Sequence, residues 1–151
     1  QVKLEWKEPM DTRLFRHDNG IHGGRLGTTG STVKSVYGSV FRTPTKLTGM
    51  TWFTENYLTT HHKVNIFVFD LAAEGEPTST ILYSQTNVPN KDMEWSSFEF
   101  PEPINAPNGY MLALSYEGHV GLGLDTGEGP DYPFTEKTNC FSEDYTTGKF
   151  T

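Results

Sequence analysis

The chain has 151 residues, 34% of them apolar and 13% aromatic, with a net charge of -7; that length suits one domain with an enclosed core. Mean hydropathy is -0.54, and the longest apolar runs, Ile66–Phe69 and Tyr110–Leu114, fall far short of the ~20 residues a membrane helix needs, so membrane insertion is not expected. Excess acid repels phosphate backbones, and no basic cluster interleaved with aromatics offsets it, so nucleic acid is not an expected partner.

In chain order, Val2, Leu4 and Trp6 alternate and predict a short first strand, broken by Pro9. Arg13–His17 predicts another. Asp18–Ser31 carries glycines at 20, 23, 24, 27 and 30 and reads as a long loop, either functional or a plain surface connection. Val36–Arg42 sets Val36, Gly38 and Val40 on one face against Tyr37, Ser39 and Phe41, and Pro44 ends it. Leu47–Thr54 sets Leu47, Gly49, Thr51 and Phe53 against Met50 and Trp52. Lys63–Leu71 is apolar on both faces, which predicts an interior strand covered on both sides. Glu74–Pro77 is a turn, Thr80–Thr86 a strand, and Asn87–Asp92 a loop. Glu94–Phe100 is the next strand, with Pro101 and Pro103 closing it. Asn108-Gly109 signals a tight turn. Tyr110–Tyr116 and His119–Asp125 flank Glu117-Gly118, which reads as a hairpin with a two-residue turn. Thr126–Gly148 is loop-like and acidic, and Lys149–Thr151 is a final short strand.

Seven strand-like runs with almost no helical stretch predict an all-β domain over 1–151. The expected architecture is a two-sheet β-sandwich of jelly-roll type with roughly eight to ten strands. Its core is expected to draw on Val40, Leu47, Met50, Trp52, Ile66, Val68, Leu82, Trp95, Phe98, Leu112, Leu114, Leu122 and Leu124. Trp52 and Trp95 count as core because they sit inside strands; Trp6 fits either core or surface. The lone Cys140 allows no internal disulfide and no cysteine-based zinc site, and is read as an inert thiol. A start at Gln1, without Met or an apolar leader, reads as a processed protein or a module of a larger secreted one.

The order of these elements carries a family resemblance. His17-Asp18-Asn19-Gly20, Leu26-Gly27 and Val36–Phe41 come first. LTGMTWF (47–53) and KVNIFVFDL (63–71) follow as paired core strands. Then come Ile81–Ser84, Trp95–Phe100, Asn108–Leu114 and Leu122–Asp125. Over roughly residues 13–150 this resembles the accessory and adhesin β-sandwich modules of secreted Bacteroidetes surface proteins, whose fold is similar to the galactose-binding-like jelly roll. The resemblance implies bacterial secretion or surface display and non-catalytic attachment or recognition, often of glycans. It carries over no catalytic residue. Asp18-Asn19-Gly20 departs from the plain Asp-Gly of the pattern, which leaves Asn19 without a shared role.

A structural calcium ion is one candidate, since modules of this kind often hold one near the chain ends. Asp18, Asn19 and carbonyls of the Gly-rich loop, or Asp125, Glu128 and Asp131, could supply hard oxygen ligands. The alternative is that Asp18 and Asn19 hydrogen-bond a turn. Sugar is the other candidate ligand: an exposed aromatic stacks on the ring face while polar groups take the hydroxyls. Tyr57 with Asn56, His61 and His62, and Tyr132 and Phe134 with Asp131 and Glu136, fit that chemistry. Adjacent His61 and His62 point to opposite faces of an extended chain and do not converge on one ion.

Nucleophile-elbow, phosphate-loop, zinc-protease and dinucleotide motifs are absent. Glu55, Asp70, Glu94, Glu99 and Asp125 offer no ranked carboxylate pair for glycoside hydrolysis. With what the family resemblance implies, the sequence is read as a non-enzymatic recognition module for carbohydrate or a cell-surface ligand. The alternative is an adhesin or spacer module that makes protein contacts without binding sugar.

Overall fold

A computed structural model describes residues 15–17, 24–55, 60–124 and 138–151. The described chain is nearly all strand: β1 (Gly24–Ser31), β2 (Val36–Phe41), β3 (Thr45–Phe53), β4 (Lys63–Leu71), β5 (Pro77–Pro89), β6 (Trp95–Ala106), β7 (Tyr110–Ser115), β8 (Gly118–Leu124) and β9 (Asn139–Ser142), then a single 3-10 turn at Tyr145–Thr147. Strands β5-β4-β7-β2-β9 form a five-stranded sheet, β3 pairs with β6, and β1 pairs with β8. All these pairings are antiparallel.

The two larger units pack face to face. Leu47, Met50 and Trp52 of β3 and Phe100, Ile104 and Ala106 of β6 share one buried cluster with Val64, Ile66 and Val68 of β4 and Tyr110 and Leu114 of β7. Alternation explains the choice of residues, because every second side chain of a strand faces the opposite sheet. Strand β4 is interior and buried on both faces, as its two-sided apolar pattern predicts. Its other face, Phe67, Phe69 and Leu71, joins Val36, Val40, Met111, Ala113 and Cys140 in a second cluster. Part of that face is roofed by the C-terminal segment: Tyr145 lies 5.1 Å from the Phe67 ring and Phe150 lies 5.6 Å from that of Phe69.

Several expectations are corrected. The Gly-rich stretch, read as loop up to Ser31, is strand β1 from Gly24 onward, in register with β8 from Gly24↔Leu124 to Thr28↔Val120. A long-range partner overrides the weak local propensity of glycine, and Gly30 (φ 75°) sits where the register shifts. The 110–125 hairpin does not form. Strand β7 is already hydrogen-bonded to β2 on one edge and β4 on the other, so the chain leaves the sheet at Gly118 (φ 93°). The Tyr116 hydroxyl fastens that corner by donating to the Gly121 carbonyl (2.9 Å) and accepting from its N–H (3.0 Å).

Pro101 and Pro103 do not end β6. Glu99 pairs with Gly49 and Ile104 with Leu47, so residues 100–103 bulge opposite Thr48, where proline's missing N–H does no harm. The same shift brings Leu47 onto the inward face with Met50 and Trp52, where strict alternation predicts opposite faces. Strand β5 likewise runs to Pro89 instead of stopping before Asn87. Residues 139–142, expected in loop, form β9 beside β2. At the end of the chain only Thr151 pairs, through two 2.8 Å backbone bonds with Phe141, and no strand forms over 149–151.

Trp95 is not core but 48% exposed. Leu82, Phe98 and Leu112 are partly buried against the core. The predicted strand near Val2–Trp6 and the side chains of Leu122 and Leu124 lie outside the described residues. Of Arg13–His17, the described residues 15–17 are not strand. His17 instead stacks on Phe41 at 4.4 Å, and its Nε2–H donates to the Val40 carbonyl at 2.8 Å.

Candidate ligand-binding surface

At one end of the sandwich a buried polar cluster ties three connections together. The Asn90 amide sits at its centre. Its Oδ1 accepts from the Trp52 indole N–H at 2.8 Å, and its Nδ2 donates to the Thr54 hydroxyl at 2.9 Å and to the His61 carbonyl at 2.8 Å. The Thr54 hydroxyl donates onward to Asp92 Oδ1 at 2.7 Å. Asp92 Oδ2 accepts from the His61 backbone N–H at 2.8 Å. Thr54 is fully buried and Asn90 nearly so. A buried amide with its donors and acceptors matched fixes local geometry, here of the chain after β3, the entry to β4 and the β5–β6 connection.

This cluster accounts for one predicted contact. His61 is half-buried: its ring lies 4.3 Å from that of Tyr116, and its Nε2–H donates to the His119 carbonyl at 2.7 Å. That bond to a carbonyl sets the tautomer. His62 is exposed beside it, and its carbonyl accepts from the Asn90 N–H at 2.8 Å. Asn56, Tyr57, Asp131, Tyr132 and Phe134, and the calcium candidates Asp18, Asn19 and Asp125, lie outside the described residues. Among the described residues no three His, Cys, Asp or Glu side chains gather as metal ligands would.

Next to the cluster, the outer face of the β3–β6 sheet presents an aromatic platform. Cross-strand pairing sets Phe53 beside Trp95, Thr51 beside Ser97 and Gly49 beside Glu99. The Phe53 and Trp95 rings meet edge to face, 5.7 Å apart at 67°, a favourable aromatic geometry. The Arg16 guanidinium lies 5.7 Å from the Trp95 ring centre, within cation–π range. Met93 (φ 63°) precedes the platform and is 50% exposed. Large apolar side chains exposed together, with polar neighbours, mark contact surfaces. Parity in the sequence contained this signal: Trp95 shares its face with Ser97 and Glu99, not with Phe98 and Phe100.

Two concavities accompany the platform. A groove of about 460 Å³ runs between β5 and the β6 bulge, lined by Leu82, Tyr83, Pro101, Glu102, Pro103 and Asn105, with Ile104 behind. A smaller recess of about 270 Å³ lies where β4 and β5 meet the β7–β8 corner, with Lys63, Asn65, Asn87 and Glu117 in its wall beside His61. The spacing of those four residues carries no local motif, so only the folded topology brings them together.

No protein family, curated protein or solved structure matches the chain.

Proposed function

We propose that this domain is a non-catalytic recognition module for carbohydrate, displayed by a secreted or surface bacterial protein and built as a jelly roll of the galactose-binding-like type. The carrying observation is Trp95, 48% exposed on a strand whose neighbouring aromatics turn inward. A half-exposed indole on a rigid sheet, with Arg16 over one side of its ring, offers its remaining surface for stacking on the apolar face of a sugar ring at low entropic cost. The Thr51 and Ser97 hydroxyls and the Glu99 carboxylate border it, and such groups exchange hydrogen bonds with sugar hydroxyls. Because Phe53 and Trp95 stand at 67°, they cannot both lie flat on one planar surface. That arrangement suits a single glycan chain better than a crystalline polysaccharide. The bacterial setting rests on the resemblance in element order.

The test is a glycan array followed by calorimetry on wild type and Trp95→Ala. Carbohydrate recognition predicts saturable binding to at least one polysaccharide or oligosaccharide class, weakened about tenfold or more in the variant, the equivalent of one lost stacking contact. Silence across host and plant glycans from a folded domain would overturn it. That outcome would favour a protein-contact module using the same Met93–Trp95 surface.

A further inference from the structure

We propose that the recess bounded by Lys63, Asn65, Asn87 and Glu117 is a second binding site, one that takes a single polyhydroxylated unit such as the terminal residue of a glycan. Its ligand class rests on the carbohydrate reading above; its location does not depend on Trp95.

The first argument is backbone geometry. Val88 pairs with Val64 and Gln85 with Ile66, so Thr86 and Asn87 together stand opposite Asn65. Asn87 occupies the left-handed region at φ 55°, which is unfavourable for a side-chain-bearing residue and least so for asparagine. Bulges of this kind re-aim side chains and recur beside binding sites. The Asn87 N–H donates to Asn65 Oδ1 at 3.1 Å, and Asn65 Nδ2 donates to the Ser115 hydroxyl at 3.2 Å. Ser115 is fully buried. The Asn65 amide is thus oriented from behind, with one lone pair and one N–H still unused.

The second argument is the chemistry of the rim. Among the described residues, the side chains of Lys63, Asn87 and Glu117 make no hydrogen bond or ion pair. Lys63 donates, Glu117 accepts and the two amides do both. Vicinal hydroxyls, each donor and acceptor at once, match that mixture. One cation and one carboxylate in the same wall give a poor site for a multiply charged anion. At about 270 Å³ the recess falls just under the ~300 Å³ at which drug-sized clefts begin, so it fits one small polar unit.

The experiment is an amide-detected NMR titration of the whole chain. The probes are methyl β-galactoside, methyl β-glucoside and methyl N-acetyl-β-glucosaminide, with glycine as a zwitterionic control. It is run on wild type, Asn87→Gly and Trp95→Ala. Glycine tolerates the local φ, so Asn87→Gly removes the amide while keeping the fold. The expected result is saturable shifts of the Asn65 and Asn87 side-chain amides with at least one glycoside, retained in Trp95→Ala, and in Asn87→Gly, where the Asn65 amide alone reports, binding about tenfold weaker. Shifts confined to the Trp95 indole would overturn the recess and leave the carbohydrate reading standing. Recess shifts with glycine alone would overturn the ligand class. No recess shift with any glycoside would overturn the site, whatever the Trp95 face binds.

Discussion

The indole N–H of Trp52 donates to Oδ1 of Asn90 across 2.8 Å of buried space, joining a core side chain of β3 to the connection between β5 and β6. Replacing Asn90 with Ala leaves the Trp52 N–H, the Thr54 hydroxyl and the His61 carbonyl without their shared partner. Each buried group left unsatisfied costs ~1–3 kcal/mol, so Asn90→Ala should destabilise the domain by about 3 kcal/mol in urea unfolding. Amide exchange at His61 and Met93 should quicken ahead of the rest, since both N–H groups bond within this cluster.

Trp52, buried, and Trp95, half-exposed, should respond to truncation to very different degrees. Trp95→Ala removes an exposed ring and should lower stability by no more than about 1 kcal/mol. Trp52→Ala empties a buried site and should cost about 3–5 kcal/mol. Acrylamide should quench the Trp95 emission component far more than that of Trp52, as difference spectra between wild type and each variant would read out.

Gly38 marks a close approach of two strands. A Cβ there would run into the Leu112 carbonyl oxygen and sit 2.9 Å from the Ala113 Cα. Both obstacles are backbone atoms of β7, paired with β2 on this edge, so relief requires moving a strand. Gly38→Ala should therefore lose about 3 kcal/mol or more, or fail to fold. Gly148→Ala, whose Cβ would meet nothing closer than 4.0 Å, should lose only about 1 kcal/mol, through its φ of 70°.

Alkaline pH should unfold the protein through two buried phenols. Burial raises the Tyr110 hydroxyl from 10.0 to about 12, with a hydrogen bond from Thr45 opposing the shift. Burial, again the largest cause, also pushes the Tyr116 hydroxyl up. The unfolded chain releases these protons near pH 10 while the folded chain retains them, so stability is full below pH 10 and falls as pH rises through about 12. Phenolate absorbance at 295 nm should show two of the seven tyrosines ionising late, together with loss of the β-sheet circular dichroism signal. Ionisation of all seven in one early step, with the fold intact, would contradict their burial.

Alternation and punctuation made most of the strand layout legible. Lys63–Leu71, apolar on both faces, is the doubly covered β4, and Glu74–Pro77 is the turn into β5, with Gly75 at φ 88°. Two kinds of information were not local. One is pairing: glycine-rich β1 is a strand because β8 lies beside it, and residues 110–125 look like a hairpin only until β7 is seen to have both edges occupied. The other is the bulge, which shifts register and reassigns faces, as at Leu47, or lets a strand run through prolines, as at Pro101. The candidate surface divides the same way. The outward side of Trp95 was readable from parity with Ser97 and Glu99, whereas the recess gathers Lys63, Asn87 and Glu117 from three separate parts of the chain.

Among the described residues β5 is the outermost member of its sheet, thirteen residues long, and a long straight border invites other copies to add on and grow fibrils. Its register breaks three times against β4, and a proline stands at each end, Pro77 and Pro89. The irregularity that shapes the recess therefore also blunts a template for self-assembly, so ligand contact and colloidal behaviour are set by the same few residues.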